Sequence, residues 1–277
     1  MKMISAQPDE IYFLWQLELQ LNNFQSLGIA SEDIHVLIGY NPDSGLHPHF
    51  EKFISLSNKA KFFVYPDNRR RKKYKSSIRP HILAQHFKEN NALENEIFFY
   101  HDSDIIFREL PPWQDLLNDK AWYASDTRSY LDVDYIKSKI GEDGFQKMCE
   151  IVGIQPQNVI DNTQNAGGAQ YILKNINSEF WAKVEEDCEN LYPYLEEKSK
   201  ISDFPNESFN GIQAWCTDMW VLWWNAIKNN IEFKIDAQLD FCWADNPIEN
   251  WSKTHILHYT GSGNKRDKNV FNKTNYI

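Results

Sequence analysis

Apolar residues in this chain come in short unbroken runs separated by longer stretches in which they recur every three or four positions. The short runs at 4–6, 34–38, 61–65 and 97–100 predict buried strands. The longer stretches predict helices. Between the first two runs, Ile11, Leu14, Trp15, Leu17, Leu21 and Phe24 mark one face of a helix, with Pro8 and Asp9 at its start and Gly28 at its stop. Residues 78–87 predict another helix, with Pro80 in its first turn. Strand alternating with helix predicts an α/β fold, a mostly parallel central sheet flanked by helices.

After Pro111 and Pro112 the pattern is more mixed. A strand is predicted at 122–124, ending at Ser125 and Asp126. A helix is predicted over 135–151, broken around Gly141 and Gly144. A glycine turn at 165–168 is expected to feed a strand through Leu173, and a long helix spans 177–195. A polar loop covers 199–211, a helix dense in aromatics covers 213–227, and a late strand at 256–259 precedes a polar tail. No repeat or low-complexity linker divides the chain. The expectation is one compact unit over 1–277, with a nucleotide-type half over residues 1–110 and an irregular half over 111–277.

The 277 residues are 42% hydrophobic, enough for a large core, and the formal net charge of −10 argues against a general nucleic-acid binder. Cys149, Cys188, Cys216 and Cys242 form no CxxC pair and read as buried thiols of a reducing compartment. The first residues lack the apolar core of a signal peptide, and no apolar run reaches transmembrane length. A cytoplasmic location is therefore expected, and the sequons at Asn206, Asn250 and Asn272 carry no weight.

The chemistry concentrates in Asp102-Ser103-Asp104, which interrupts an apolar run, Phe98 to Tyr100, that resumes at Ile105. Two carboxylates that close repel, and burying them costs several kcal/mol unless a cation compensates. Hard oxygen ligands suit Mn²⁺ or Mg²⁺, which complete their shell from a phosphate. His258, at the end of the late strand, can supply a third ligand. The following Gly261 lets backbone approach a phosphate and Lys265 can neutralise it. Arg79, at a helix start, is placed for the same anion. The run Arg69 to Lys75 reads either as a solvated loop or as an electropositive flap for a diphosphate. Asn165, Gly167, Gly168 and Gln170 read either as an ordinary turn or as one that sets backbone and side-chain amides against a sugar. Asp218, alone among apolar neighbours, is expected to have a raised pKa suited to a general base. Trp220, Trp223 and Trp224 share one helix face and read as core.

Together these features resemble the GT-A glycosyltransferases, which are metal-dependent and carry a DxD motif. His258-x-x-Gly261 with Lys265 is similar to the C-terminal motif of the glycogenin-like families. The segments 74–80 and 167–173 look more like the plant peptidyl hydroxyproline arabinosyltransferase and peptidyl serine galactosyltransferase group. The resemblance implies a nucleotide-sugar donor, a UDP-sugar first among them, and a sugar or other hydroxyl acceptor. It implies that Asp102, Asp104 and His258 hold Mn²⁺ (or Mg²⁺) against the diphosphate, with Ser103 beside it. Ala6 and Gln7 would border the nucleoside, Arg79 and Lys265 would stabilise the leaving group, and Asn165, Gly167, Gly168 and Gln170 would line the sugar. Asp218 would be the base of an inverting enzyme. Competing readings are a sugar-phosphate nucleotidyltransferase, whose glycine- and arginine-rich first loop is replaced here by Ala6-Gln7-Pro8-Asp9, and a non-catalytic sugar-binding protein of the same fold. A haloacid-dehalogenase-type phosphohydrolase carries its Asp-X-Asp on the first strand, unlike this chain.

Overall fold

A computed structural model describes residues 1–199, 211–260 and 273. The strands among them are β1 (Lys2–Pro8), β2 (Ile34–Tyr40), β3 (Lys61–Pro66), β4 (Ile97–Tyr100), β5 (Ile105–Phe107), β6 (Trp122–Asp126), β7 (Gly167–Lys174), β8 (Phe233–Ile235), β9 (Phe241–Trp243) and β10 (Ile256–His258). The helices are α1 (Ile11–Ser26), α2 (Pro48–Leu56), α3 (Ile78–Glu89), α4 (Arg128–Leu131), α5 (Val133–Val152), α6 (Pro156–Asp161), α7 (Ser178–Ser199), α8 (Thr217–Lys228) and α9 (Ile248–Trp251).

Seven strands form one sheet in the order β3-β2-β1-β4-β7-β6-β8. All of its neighbours run parallel except the two pairs made by β7, with β4 and with β6. The expected fold class, a mostly parallel sheet flanked by helices, is the one observed. Strands from both sides of residue 110 share this sheet. Parallel strands covered on both faces must be apolar throughout. Accordingly Met3 to Gln7 and Ile34 to Gly39 are buried without interruption. On one face Phe87, Phe98, Trp122 and the fully buried Trp220, Trp223 and Trp224 belong to one core, as their helical spacing suggested. On the other, Leu17, Leu21, Phe24, Val36, Phe50 and Phe99 form the second.

A second sheet has the order β5-β10-β9, with β10 antiparallel to β5 and parallel to β9. The chain first passes from the large sheet to the small one through residues 101–104, and again through 236–240. Asn23 of α1 closes the free edge of β5, its amide donating to Phe107 O and accepting from Phe107 N, both at 2.8 Å.

Several elements differ from the sequence reading. Residues 165–168 are not a free glycine turn: a short 3₁₀ turn ends at Asn165, and Gly167 and Gly168 are already strand, buried in β7. The reason is packing. A Cβ on Gly167 would stand 2.7 Å from Ala124 Cβ, and one on Gly168 would stand 2.9 Å from Met219 Sδ. The aromatic-rich helix starts at Thr217 after a 3₁₀ turn at Ala214–Cys216. The break near Gly141 is real: its φ of 75° kinks α5. All four cysteines are buried free thiols. Among the described residues no helix is long and apolar enough to cross a membrane.

Candidate functional site

Asp102 and Asp104 lie just past the carboxyl end of β4, in the tetrad that joins the two sheets. Ligands of open α/β sheets sit at this edge. His258 arrives from the far end of the sequence because β10 pairs with β5 in a register that sets His258 opposite Ile105, the residue after Asp104. His258 Nε2 then stands 3.2 Å from Asp104 Oδ1 and 3.5 Å from Asp102 Oδ2. One ligating atom from each of the three can be chosen so that all lie within 4.8 Å of one another. Two carboxylate oxygens and one imidazole nitrogen are a donor set that suits Mn²⁺ or Mg²⁺. Asp104 and His258 are buried and Asp102 is half-buried.

The surrounding charges are arranged around this triad. Burial pushes the Asp104 carboxyl up, but His258 and Lys273 beside it outweigh that and hold it well below the ordinary range. Lys273 pairs with Asp104 Oδ2. Arg79, in the first turn of α3, reaches Asp102 Oδ1 at 2.7 Å and Asp218 Oδ2 at 3.5 Å. Gly39 of β2 helps place it, since a Cβ there would lie 2.6 Å from Ile78 Cδ1 and push this end of α3 away. Gln20 donates to Asp102 O at 2.8 Å and fixes the turn from α1. Behind His258 a β-bulge sits on β7, where Ala124 opposes Tyr171 and Ser125 opposes Gly168. Within it Ala169 adopts φ 65°, a left-handed conformation costly for a residue with a side chain. The bulge carries Gln170, whose side-chain amide stands 3.3 Å from His258 Nδ1.

Three adjoining cavities run past the triad. A central one of about 530 Å³ is lined by Arg79, Asp102, Ser103, Asp104, His258 and Lys273, with Trp215, Trp243 and Tyr130 on its walls. Tyr12, Phe13 and Arg79 connect it to a cavity of about 420 Å³ at the carboxyl ends of β1, β2 and β3, lined by Pro8, Asp9, Tyr40 and Asp67. Tyr130 and Trp243 connect it, on another side, to a cavity of about 570 Å³ lined by Asp126, Arg128 and Asp240.

The structure brings Asp102, Ser103, Asp104, His258 and Arg79 together around one cavity. Gly261 and Lys265 lie outside the described residues. Ala6 and Gln7 are buried inside β1, which extends to Pro8, so Pro8, Asp9 and Glu10 face the cleft instead. Gln7 Nε2 donates to Leu37 O across the sheet at 2.6 Å. Asn165, Gly167 and Gly168 line none of the three cavities. Gln170 is fully buried and meets His258 in place of a cavity.

Asp218 does have a raised pKa, from burial first and from Asp102 as well. Both its oxygens are engaged, Oδ1 accepting from Tyr74 Oη at 2.9 Å and Oδ2 facing Arg79. It lines a small pocket of about 20 Å³ beside Arg79, not the central cavity. In this geometry Asp218 stands beside Arg79 as a counter-charge. Arg69, Lys72 and Lys75 of the basic run line the cavity of about 420 Å³, and several of its residues are also tied into the fold. Arg69 pairs with Asp67 at 2.8 Å and bonds Tyr74 O and Ser77 Oγ, Lys72 pairs with Asp67 at 3.0 Å, and Arg71 donates to Asn190. The buried Glu189 accepts from Lys73 N and Ser77 Oγ and holds the loop to α7.

Sequence reasoning missed Lys273, Trp215 and Trp243. Neither a lone lysine in a polar tail nor a tryptophan ahead of an apolar helix carries a local signal. Only tertiary packing decides that Trp215 is 52% exposed while its neighbours on α8 are buried.

No protein-family profile and no curated protein matches this chain. Among solved structures, the apo form of the bifunctional glycosyltransferase WbbM aligns over 95% of this chain with a TM-score of 0.47 at 8% identity; this chain spans 46% of its length. The galactosyltransferase LgtC, in complex with donor and acceptor sugar analogs, aligns over 99% of this chain with a TM-score of 0.45 at 11% identity, over 93% of its own length. Neither likeness bears on which residues act.

Proposed function

We propose that this chain is a metal-dependent glycosyltransferase of the GT-A type, acting as one catalytic unit over 1–277. It transfers a sugar from a nucleotide-sugar, a UDP-sugar first among the candidates, to a hydroxyl acceptor. The observation that carries the reading is the Asp102, Asp104 and His258 cluster at the carboxyl edge of the sheet, with Arg79 beside it and a nucleoside-sized cavity adjoining it. Asp102, Asp104 and His258 would hold Mn²⁺ or Mg²⁺. Such an ion, when bound, neutralises the diphosphate and lowers the cost of its departure.

The protein's own groups do the rest. Pro8, Asp9, Tyr40 and Asp67 would surround base and ribose at the ends of β1, β2 and β3. Arg79 sits at a helix start, where anions are favoured, and offers its guanidinium to the charge that grows on the leaving diphosphate. Asp218 keeps that guanidinium in place. As the bond between the anomeric carbon and the diphosphate oxygen breaks, the acceptor oxygen bonds that carbon and its proton passes to the departing diphosphate. Gln170 orients the His258 ring. A cytoplasmic location is part of the same reading.

Calorimetry of UDP with and without Mn²⁺ tests it, on the wild type and on the double variant Asp102→Ala, Asp104→Ala. Manganese-dependent binding lost in the variant is expected. Binding indifferent to both metal and aspartates would sink the proposal.

A further inference from the structure

We infer that the acceptor is a neutral oligosaccharide of at least two sugar units. It would lie in the groove that leads from the metal triad past Tyr130 and Trp243 to Asp126 and Arg128. The inference rests on the donor reading above and adds the class of acceptor. The donor side of the central cavity opens toward β1, β2 and β3 through Tyr12, Phe13 and Arg79. The second opening, through Tyr130 and Trp243, therefore leads away from the nucleotide.

Its walls have the chemistry of a sugar-binding surface. Trp215 lines the central cavity and is 52% exposed, a large apolar face that the fold leaves uncovered. Its ring lies 6.2 Å from that of Tyr130 at 32°, so the two form one shallow aromatic floor. Trp243 stacks on His258 at 5.5 Å and 23°, which puts a third ring directly beside the triad. Aromatic faces take up the C–H faces of pyranose rings, gaining apolar contact without ordering long side chains.

Beyond Tyr130 the groove changes to hydroxyl-binding groups. Arg128 is held by Asp126 at 2.6 Å, a fork of donors and acceptors already ordered. Asp240 stands next to them, its carboxyl raised by burial first and by Asp126. Tyr130 is common to both cavities, and its hydroxyl has no hydrogen-bond partner among the described residues. So is the Oε1 of Gln16, a fully buried residue on the wall of the central cavity. Unpaired polar atoms of this kind are costly unless a ligand meets them.

The charge balance sets the class. Among the described residues Asp126, Asp132 and Asp240 face a single Arg128 in the outer cavity, a balance that repels a phosphorylated, sulfated or sialylated acceptor. The two cavities, about 530 and 570 Å³, are each large enough for a sugar unit, and a monosaccharide would leave the outer one unused.

Saturation-transfer NMR in the presence of UDP and Mn²⁺ tests this. The probes are lactose, maltose, cellobiose and chitobiose, their monosaccharide halves, and sialyllactose as the acidic counterpart. At least one neutral disaccharide is expected to bind tenfold or more tighter than its halves, with sialyllactose weaker than lactose. Trp215→Ala and Arg128→Ala are each expected to weaken that disaccharide about tenfold while manganese-dependent UDP binding persists. If wild type binds UDP with Mn²⁺ but none of the disaccharides, favours their halves equally, or is unaffected by Arg128→Ala, the groove assignment is overturned. If UDP binding itself is absent, the donor reading fails first.

Discussion

The Gln170 side chain stands 3.3 Å from His258 Nδ1, and the same amide meets Ser125 Oγ at 2.8 Å. Ser125 also lies 2.7 Å from Leu239 O. The Gln170 oxygen takes the Ser125 hydroxyl and its amide nitrogen faces His258 Nδ1. Held from behind in this way, the ring turns its Nε2 to the two aspartates. Gln170→Ala is expected to weaken Mn²⁺ binding about 10- to 100-fold, with Gln170→Glu retaining it. Calorimetric titration of Mn²⁺ checks this, with thermal melts showing that both variants fold.

Arg79 bridges Asp102 and Asp218, so removing it leaves two half-buried carboxylates without their cation. Arg79→Met should destabilise the protein by about 1 to 3 kcal/mol, less than for a fully buried pair. Asp218→Asn in the same chain should restore much of that loss, because the uncompensated charge goes with it. Urea unfolding of the two single variants and the double variant measures the coupling; additive effects would show that Arg79 and Asp218 are not a pair.

Gly167 and Gly168 differ in what surrounds them. A Cβ at Gly167 meets Ala124 Cβ at 2.7 Å, Ile235 Cγ2 at 2.9 Å and Ser125 O at 3.0 Å, all parts of neighbouring strands. At Gly168 the nearest atom is the flexible Met219 Sδ at 2.9 Å. Gly167→Ala should therefore cost about 1 to 3 kcal/mol and Gly168→Ala less, as overpacking that a thioether can relieve. Chemical denaturation at constant pH decides the order.

The buried pair His35 and His86 makes stability depend on pH. His35 Nδ1 lies 3.1 Å from His86 Nε2, and Tyr65 Oη meets His86 Nδ1 at 2.8 Å. Burial, with Lys2 adding to it, lowers His35 to about 4. Burial, with His35 adding to it, lowers His86 to about 3. The unfolded chain protonates both near pH 6.5, so below that it binds more protons than the folded one. Stability from this pair is complete above pH 6.5 and falls as pH drops toward 4, on the order of 2 kcal/mol per histidine. His86→Gln should flatten the urea-midpoint profile between pH 7 and 4.5; an unchanged slope would remove the pair from the explanation.

β1, β2 and β4 were legible because both faces of each are covered, which writes them as continuous apolar runs, whereas β3 is an edge strand, partly exposed, that still carries an apolar run. β5, β8 and β9 have three residues each, too few for any period to show. Asp102 and Asp104 were legible as charge set into an apolar run, and His258 as the end of a late strand. Asp218 was legible as a buried acid, but its partner was not, since Arg79 reaches it from another helix. Gln170 carried a faint signal, a polar residue between a glycine pair and an apolar run. The bulge that turns it toward His258 depends on a register with β6 that no local pattern encodes.

The small sheet has a consequence for how the protein comes into being. A chain emerging from the ribosome holds every strand of the seven-stranded sheet once Ile235 is out, yet its two aspartates still wait for a histidine synthesised later on β10. The scaffold can thus mature before the site exists. A proteolytic nick between Ile235 and His258 would put every strand of the large sheet on one fragment and the histidine of the triad on the other.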